Sequence, residues 1–118
     1  MSNNSNNSNN SNNSKGKKVV RILGYGQYTV DDNVMHEINT MDNKIVKLLE
    51  SGESDDSVRA EFERHLKVLN IIVEEKGNAI ESKEIVQSDV VIPGHDITLE
   101  EARKLFKGEG IIKDSDYL

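Results

Sequence analysis

The sequence predicts an α+β domain. A small β-sheet, made of an N-terminal hairpin plus a third short strand, packs with a long antiparallel helical hairpin and a short C-terminal helix. Three observations carry this reading. Apolar residues recur at steps of three and four on both sides of Gly52: Val34, Ile38, Met41, Ile45 and Leu48/Leu49, then Val58, Phe62, Leu66, Leu69 and Ile72/Val73. Each set is one face of an amphipathic helix. Two β-branched runs flank Gly24-Tyr25-Gly26, and a third, Asp89-Val90-Val91-Ile92, is stopped by Pro93. Proline cannot donate to a ladder, so it ends the strand there.

Taken in order, residues 2–14 repeat Ser-Asn-Asn and hold nothing that could bury apolar surface. Residues 1–18 are therefore expected to be a disordered tail, for which a native segment and an appended spacer read alike. Lys15-Gly16-Lys17-Lys18 reads as a solvated linker. Order is expected from Val19. Val19-Val20-Arg21-Ile22-Leu23 and Gln27-Tyr28-Thr29-Val30 read as paired strands. The two glycines around Tyr25 supply the positive φ of a tight hairpin. A phosphate-cradling loop fails here: Thr29 stands where a dinucleotide fingerprint requires glycine, and no Gly-Lys-Ser/Thr end follows.

Asp31-Asp32-Asn33 caps the first helix, with oxygens for its free amides and negative charge at the positive end of its dipole. Gly52 takes the C′ position, and Ser54 or Asp55 caps a second helix of about 22 residues, roughly 33 Å long. Glu63 and Lys67 are spaced as an i,i+4 pair on it, and Gly77 marks its end. Residues 78–89 are polar, with Ile80 and Ile85-Val86 as isolated anchors. Pro93-Gly94-His95-Asp96 is a turn, and Thr98-Leu99-Glu100-Glu101 is a capping box. The third helix, Leu99 to Lys107, is expected to point Leu99, Ala102, Leu105 and Phe106 inward and to end at Gly108. Glu109-Gly110-Ile111-Ile112 turns the chain back onto the body, and residues 115–118 fray.

Of the 118 residues, 15 are Lys or Arg and 21 Asp or Glu. Residues 1–18 hold three lysines and no acid, so the remainder carries 12 basic against 21 acidic residues, a formal −9. That field repels phosphate backbones, and there is no basic stripe with stacking aromatics, so nucleic acid is excluded as a partner. The chain has no cysteine, which removes disulfides and thiolate metal sites. No run approaches the ~18 apolar residues of a membrane span, and no apolar signal segment opens the chain. These features point to the cytoplasm.

The three histidines show no HExxH or comparable ligand spacing. His36 is expected at the surface and His65 at the border of the second stripe. His95 beside Asp96 is the one pair with ligand-like chemistry, a weak metal candidate. No serine has a base or an orienting group at a telling spacing, so no catalytic residue and no cofactor are assigned.

Two blocks carry a family resemblance. The first is Val20-Arg21-Ile22-Leu23-Gly24-Tyr25-Gly26-Gln27-Tyr28 followed by Val30-Asp31-Asp32. The second runs from Ser88-Asp89 through Pro93 and Asp96 to Thr98-Leu99-Glu100-Glu101-Ala102-Arg103-Lys104-Leu105-Phe106, and ends in Gly108-Glu109-Gly110-Ile111-Ile112. Together they resemble the PspA-associated protein family, PspAA, over residues 19–114. The resemblance implies a small, non-enzymatic cytoplasmic accessory protein of prokaryotic envelope-stress systems. Its implied partner is a PspA-like, membrane-remodelling coiled-coil protein related to the ESCRT-III group, so that membrane contact is only indirect.

The candidate partner-binding residues are Gly24, Tyr25, Gly26, Gln27 and Tyr28 on the hairpin, Arg103 on the third helix, and Gly108, Glu109 and Gly110 on the exit. A purely structural role, with Gln27, Tyr28 and Arg103 holding the sheet to the third helix, stands beside it. The alternative function is a small ligand- or metal-sensing module built on His95, Asp96 and nearby carboxylates.

Overall fold

The computed structural model describes residues 17–81 and 86–112. The tail up to residue 16, the expected anchor Ile85 and residues 115–118, expected to fray, lie outside the described residues. The element order is β1 (Lys18–Ile22), β2 (Gly26–Val30), α1 (Asp32–Leu49), α2 (Asp55–Lys76), β3 (Asn78–Ala79), β4 (Val90–Ile92) and α3 (Leu99–Leu105). This is the expected α+β architecture, with a four-stranded sheet ordered β3-β2-β1-β4. β1 and β2 pair antiparallel from Lys18↔Val30 to Ile22↔Gly26, so β1 starts one residue before Val19. β4 lies parallel to β1, with Val20 opposite Val90 and Ile22 opposite Ile92. Those four residues and Val30 are buried, as alternation on a one-sided sheet requires.

β3 is a strand that the sequence reading did not include. It has two exposed residues, pairs with Thr29 and Tyr28 of β2, and continues into the Ile80 N–H donating to the Gln27 carbonyl at 2.9 Å. Gly77 does end α2, though its φ of −88° is open to any residue. Space is what excludes a side chain: a Cβ would sit 2.6 Å from the Val73 carbonyl oxygen, with Val30 Cγ1 and the Thr29 carbonyl oxygen of β2 close by at 3.1 and 3.2 Å. Glycine there lets the helix exit lie directly on β2.

The helical hairpin forms most of the core. Asp31 caps α1 by accepting from the Val34 amide at 2.9 Å, and Ser54 caps α2 by accepting from the Ser57 amide. Val34, Met35, Ile38, Met41 and Ile45 face Val58, Phe62, Leu66, Leu69 and Val73, all buried in one cluster with the sheet. Leu48, Leu49 and Ile72 are only partly covered. Gly52 has φ +79° but lies two residues beyond the C-cap, Glu50. The expected Glu63–Lys67 pair does not form; on α2, Glu61 instead meets Arg64 and lies 3.7 Å from His65. His65 borders the core as expected. Its pKa is pushed down by burial first and by Lys44 and Arg64 after that, so the contact with Glu61 is not a full ion pair at neutral pH.

Asn70 breaks the apolar pattern of α2. It is 2 % exposed, and both atoms of its carboxamide lack a hydrogen-bond partner among the described residues. A buried unpaired polar group costs about 1–3 kcal/mol. Leucine has nearly the same branching and no such atoms, so Asn70→Leu is expected to stabilise the fold by about 1–2 kcal/mol. Equilibrium urea unfolding reads this directly, and an unchanged or lower midpoint would mean that the amide is satisfied in solution.

α3 begins in a complete capping box. The Thr98 hydroxyl accepts from the Glu101 amide at 3.1 Å, while the Glu101 carboxylate accepts from the Thr98 amide at 3.0 Å. Those Thr98 contacts, backbone before side chain, hold the Glu101 pKa below the usual carboxylate range. Leu99, Ala102 and Phe106 are buried, and Phe106 meets Phe62 edge-to-face at 6.0 Å. Leu105 does not point inward as expected, being 44 % exposed. The 99-102-106 spacing already completes the inward stripe, which leaves Leu105 on its flank.

Candidate partner-binding surface

The hairpin turn is the most exposed of the candidate segments. Gly24 and Gly26 have φ of +89° and +136°, which glycine adopts at no steric cost. The Tyr25 amide closes the turn by donating to the Ile22 carbonyl at 2.9 Å. The Tyr25 ring is 56 % exposed and stands edge-on to His95, with centroids 5.7 Å apart. Beside it lies a groove of about 790 Å³ between the turn and α3, lined by Leu23, Pro93, Gly94, Ile97, Lys104 and Leu105 among others. Gly94 lines it in close quarters, since a Cβ there would lie 3.1 Å from the Leu23 carbonyl oxygen and 3.2 Å from Asp96 Oδ1.

Three other candidates make internal ties. The Gln27 carboxamide donates to Ser88 Oγ at 2.9 Å and to the Val86 carbonyl, and it accepts from the Val86 amide at 3.3 Å. It therefore fastens the segment leading into β4, rather than α3 as anticipated. Tyr28 is half-buried against the core. Arg103 bridges to Asp55 at 2.8 Å and links α3 to the first turn of α2. Both partners are largely solvated, so that bridge contributes at most about 1 kcal/mol.

The Gly108–Gly110 exit divides into two parts. Gly108 and Glu109 are exposed, but Gly110 is buried with φ +87°, and a Cβ on it would run into the Asp42 carboxylate, 2.7 Å from its carboxyl carbon. Asp42 itself has no exposed surface. Its two oxygens each accept a backbone amide, from Ile111 and from Ile112, both at 3.0 Å. Burial raises its pKa, and the two amides pull the other way with the smaller effect. Sequence reasoning missed this residue. The signal was its spacing, because Ile38, Asp42 and Ile45 fall at i, i+4 and i+7 on the buried face of α1.

His95 and Asp96 are both exposed at the turn after β4. Among the described residues no group of three or more His, Cys, Asp or Glu could hold a metal ion, so the structure adds no third ligand to that pair. Nor is any helix among the described residues long and apolar enough to cross a membrane.

Set against known proteins, residues 18–114 match the family model described as PspA-Associated protein, PspAA. No curated protein and no solved structure matches the chain.

Proposed function

Because the chain belongs to the PspA-associated protein family, we propose that it acts as a non-enzymatic accessory protein that binds a PspA-like coiled-coil protein. On this reading it modulates the partner's assembly at the membrane as part of an envelope-stress response, and it does so from the cytoplasmic side. The observation that carries the proposal is the family match, which spans all of the described residues except Lys17.

Two physical features support it. The acidic domain, with its formal −9 outside the first 18 residues, is repelled by an anionic bilayer and attracted to a basic protein segment. The exposed hairpin turn presents an aromatic ring between two glycines, the kind of anchor that protein interfaces use. Tyr25 is the better probe of binding than Tyr28, whose packing against the core would confound affinity with stability.

The test is co-elution of this chain with the PspA-like protein of the same genome on a sizing column at two salt concentrations. Co-migration that weakens at high salt is expected, since charge attraction across a solvated interface is screened over about 10 Å at 0.1 M salt. Separate elution at both concentrations would overturn the proposal.

A further inference from the structure

We infer that the groove between the β1–β2 turn and α3 is the docking site for an amphipathic helix with an apolar ridge and basic flanks. The inference rests on the functional reading above and names the surface that serves it. Leu23 and Leu105 come from elements far apart in the chain, are 48 % and 44 % exposed, and converge on the same groove. Neither contributes what the fold requires. Leu23 continues the outward phase of β1, opposite the buried Val20 and Ile22, while Leu99, Ala102 and Phe106 supply the packing of α3. A polar residue at either position would leave the core unchanged, and what sets this pair apart from other exposed apolar side chains is that both line one groove.

Charge and shape select the occupant. The groove is apolar along Leu23, Pro93, Ile97 and Leu105, with Asp96 and Lys104 at its edge. The Glu101 carboxylate also lines it but is committed to Thr98 in the capping box. An apolar ridge presented at i, i+3 and i+4 suits such a floor. A second copy of this chain would bring a second acidic domain against the first, whereas basic flanks gain from the same field. Adding an extended peptide to β4 is disfavoured by its length of three residues and by Pro93 directly after it.

The experiment measures affinity of the full chain for the PspA-like protein of the same genome. Three proteins are compared: wild type, the pair Leu23→Gln with Leu105→Gln, and the pair Val68→Gln with Ile71→Gln. The last two residues are similarly exposed, at 44 % and 40 %, on the outer side of α2. The groove pair is expected to weaken binding at least about tenfold, the loss of two anchor side chains at an interface, with its melting temperature unchanged. The α2 pair is expected to bind as wild type does.

Wild-type binding that survives the groove pair overturns the docking site and leaves the functional reading standing. Loss in the α2 pair alone moves the interface to the helical hairpin and also overturns it. No complex with wild type overturns the functional reading and the occupant together. Sedimentation of the chain alone checks the remaining occupant: self-association abolished by the groove pair would assign the groove to a second copy. If the groove pair melts early, the single Leu105→Ala variant, which only shortens an exposed side chain, decides by the same affinity measurement.

Discussion

Replacing Asp42 with alanine is expected to destabilise the fold by about 2–4 kcal/mol. Each of the Ile111 and Ile112 amides would lose a charged acceptor, and a buried donor left unpaired costs about 1–3 kcal/mol. Relief of the buried carboxylate offsets part of that loss. The pH dependence follows from the direction of its pKa, which burial raises above the ordinary carboxylate value. The folded chain therefore holds this proton more tightly than the unfolded chain does. Its contribution to stability declines as pH rises through the unfolded and then the folded pKa, and is level above both. Asparagine does not titrate, so the stability of wild type relative to Asp42→Asn is expected to fall as pH rises above the ordinary carboxylate pKa of about 4 and to level off once the raised folded pKa is passed. Urea titrations of the two proteins at several pH values measure it. A difference that grows towards neutral pH would mean that the two amides outweigh burial.

Gly110→Ala is the second large effect, expected at about 3 kcal/mol or more. A non-glycine residue at φ +87° carries a left-handed penalty of about 1–2 kcal/mol, and the new methyl group collides with the Asp42 carboxylate. The collision part is shared between the two residues, so the substitutions will not add. In an Asp42→Ala background, Gly110→Ala should cost only about the backbone part, giving a coupling of at least about 1 kcal/mol in a double-mutant cycle. Additive losses would place the strain in the backbone alone.

The sequence made the helices legible because each has to turn one continuous stripe inward, and the period of that stripe survives in the residue order. Asp31, Ser54 and the Thr98–Glu101 box were equally readable, since capping uses a handful of side chains at fixed offsets. What escaped notice was non-local. β3 is defined by its pairing with Tyr28 and Thr29 of β2 directly after the close-packed turn at Gly77, and two residues, Asn78 and Ala79, carry no period. The parallel placement of β4 is decided by its long return path, not by Val90–Ile92 themselves. Asp42 is a single acid among apolar neighbours in the residue order, and only the Ile111 and Ile112 amides, some 70 residues away, explain why it is inside. Among the candidate site residues, the exposed turn around Tyr25 was readable from its glycines. The groove was not, since it needs Leu105 to be outside a stripe that three other residues already fill.

The central position of β1 also sets an order of events during synthesis. β1 pairs with β2 across a short turn, but its other neighbour is β4, whose approach is fixed by the Asp89 amide on the Val19 carbonyl at 2.8 Å. A chain elongated only as far as Lys76 holds the residues of both long helices and of the first hairpin, but not the β4 residues that cover the other flank of β1. The carboxylate of Asp42 likewise waits, without its two amides, for the last residues of the domain. Completion of this fold is thus tied to its C-terminal third, through contacts of high sequence separation at β4 and at Asp42.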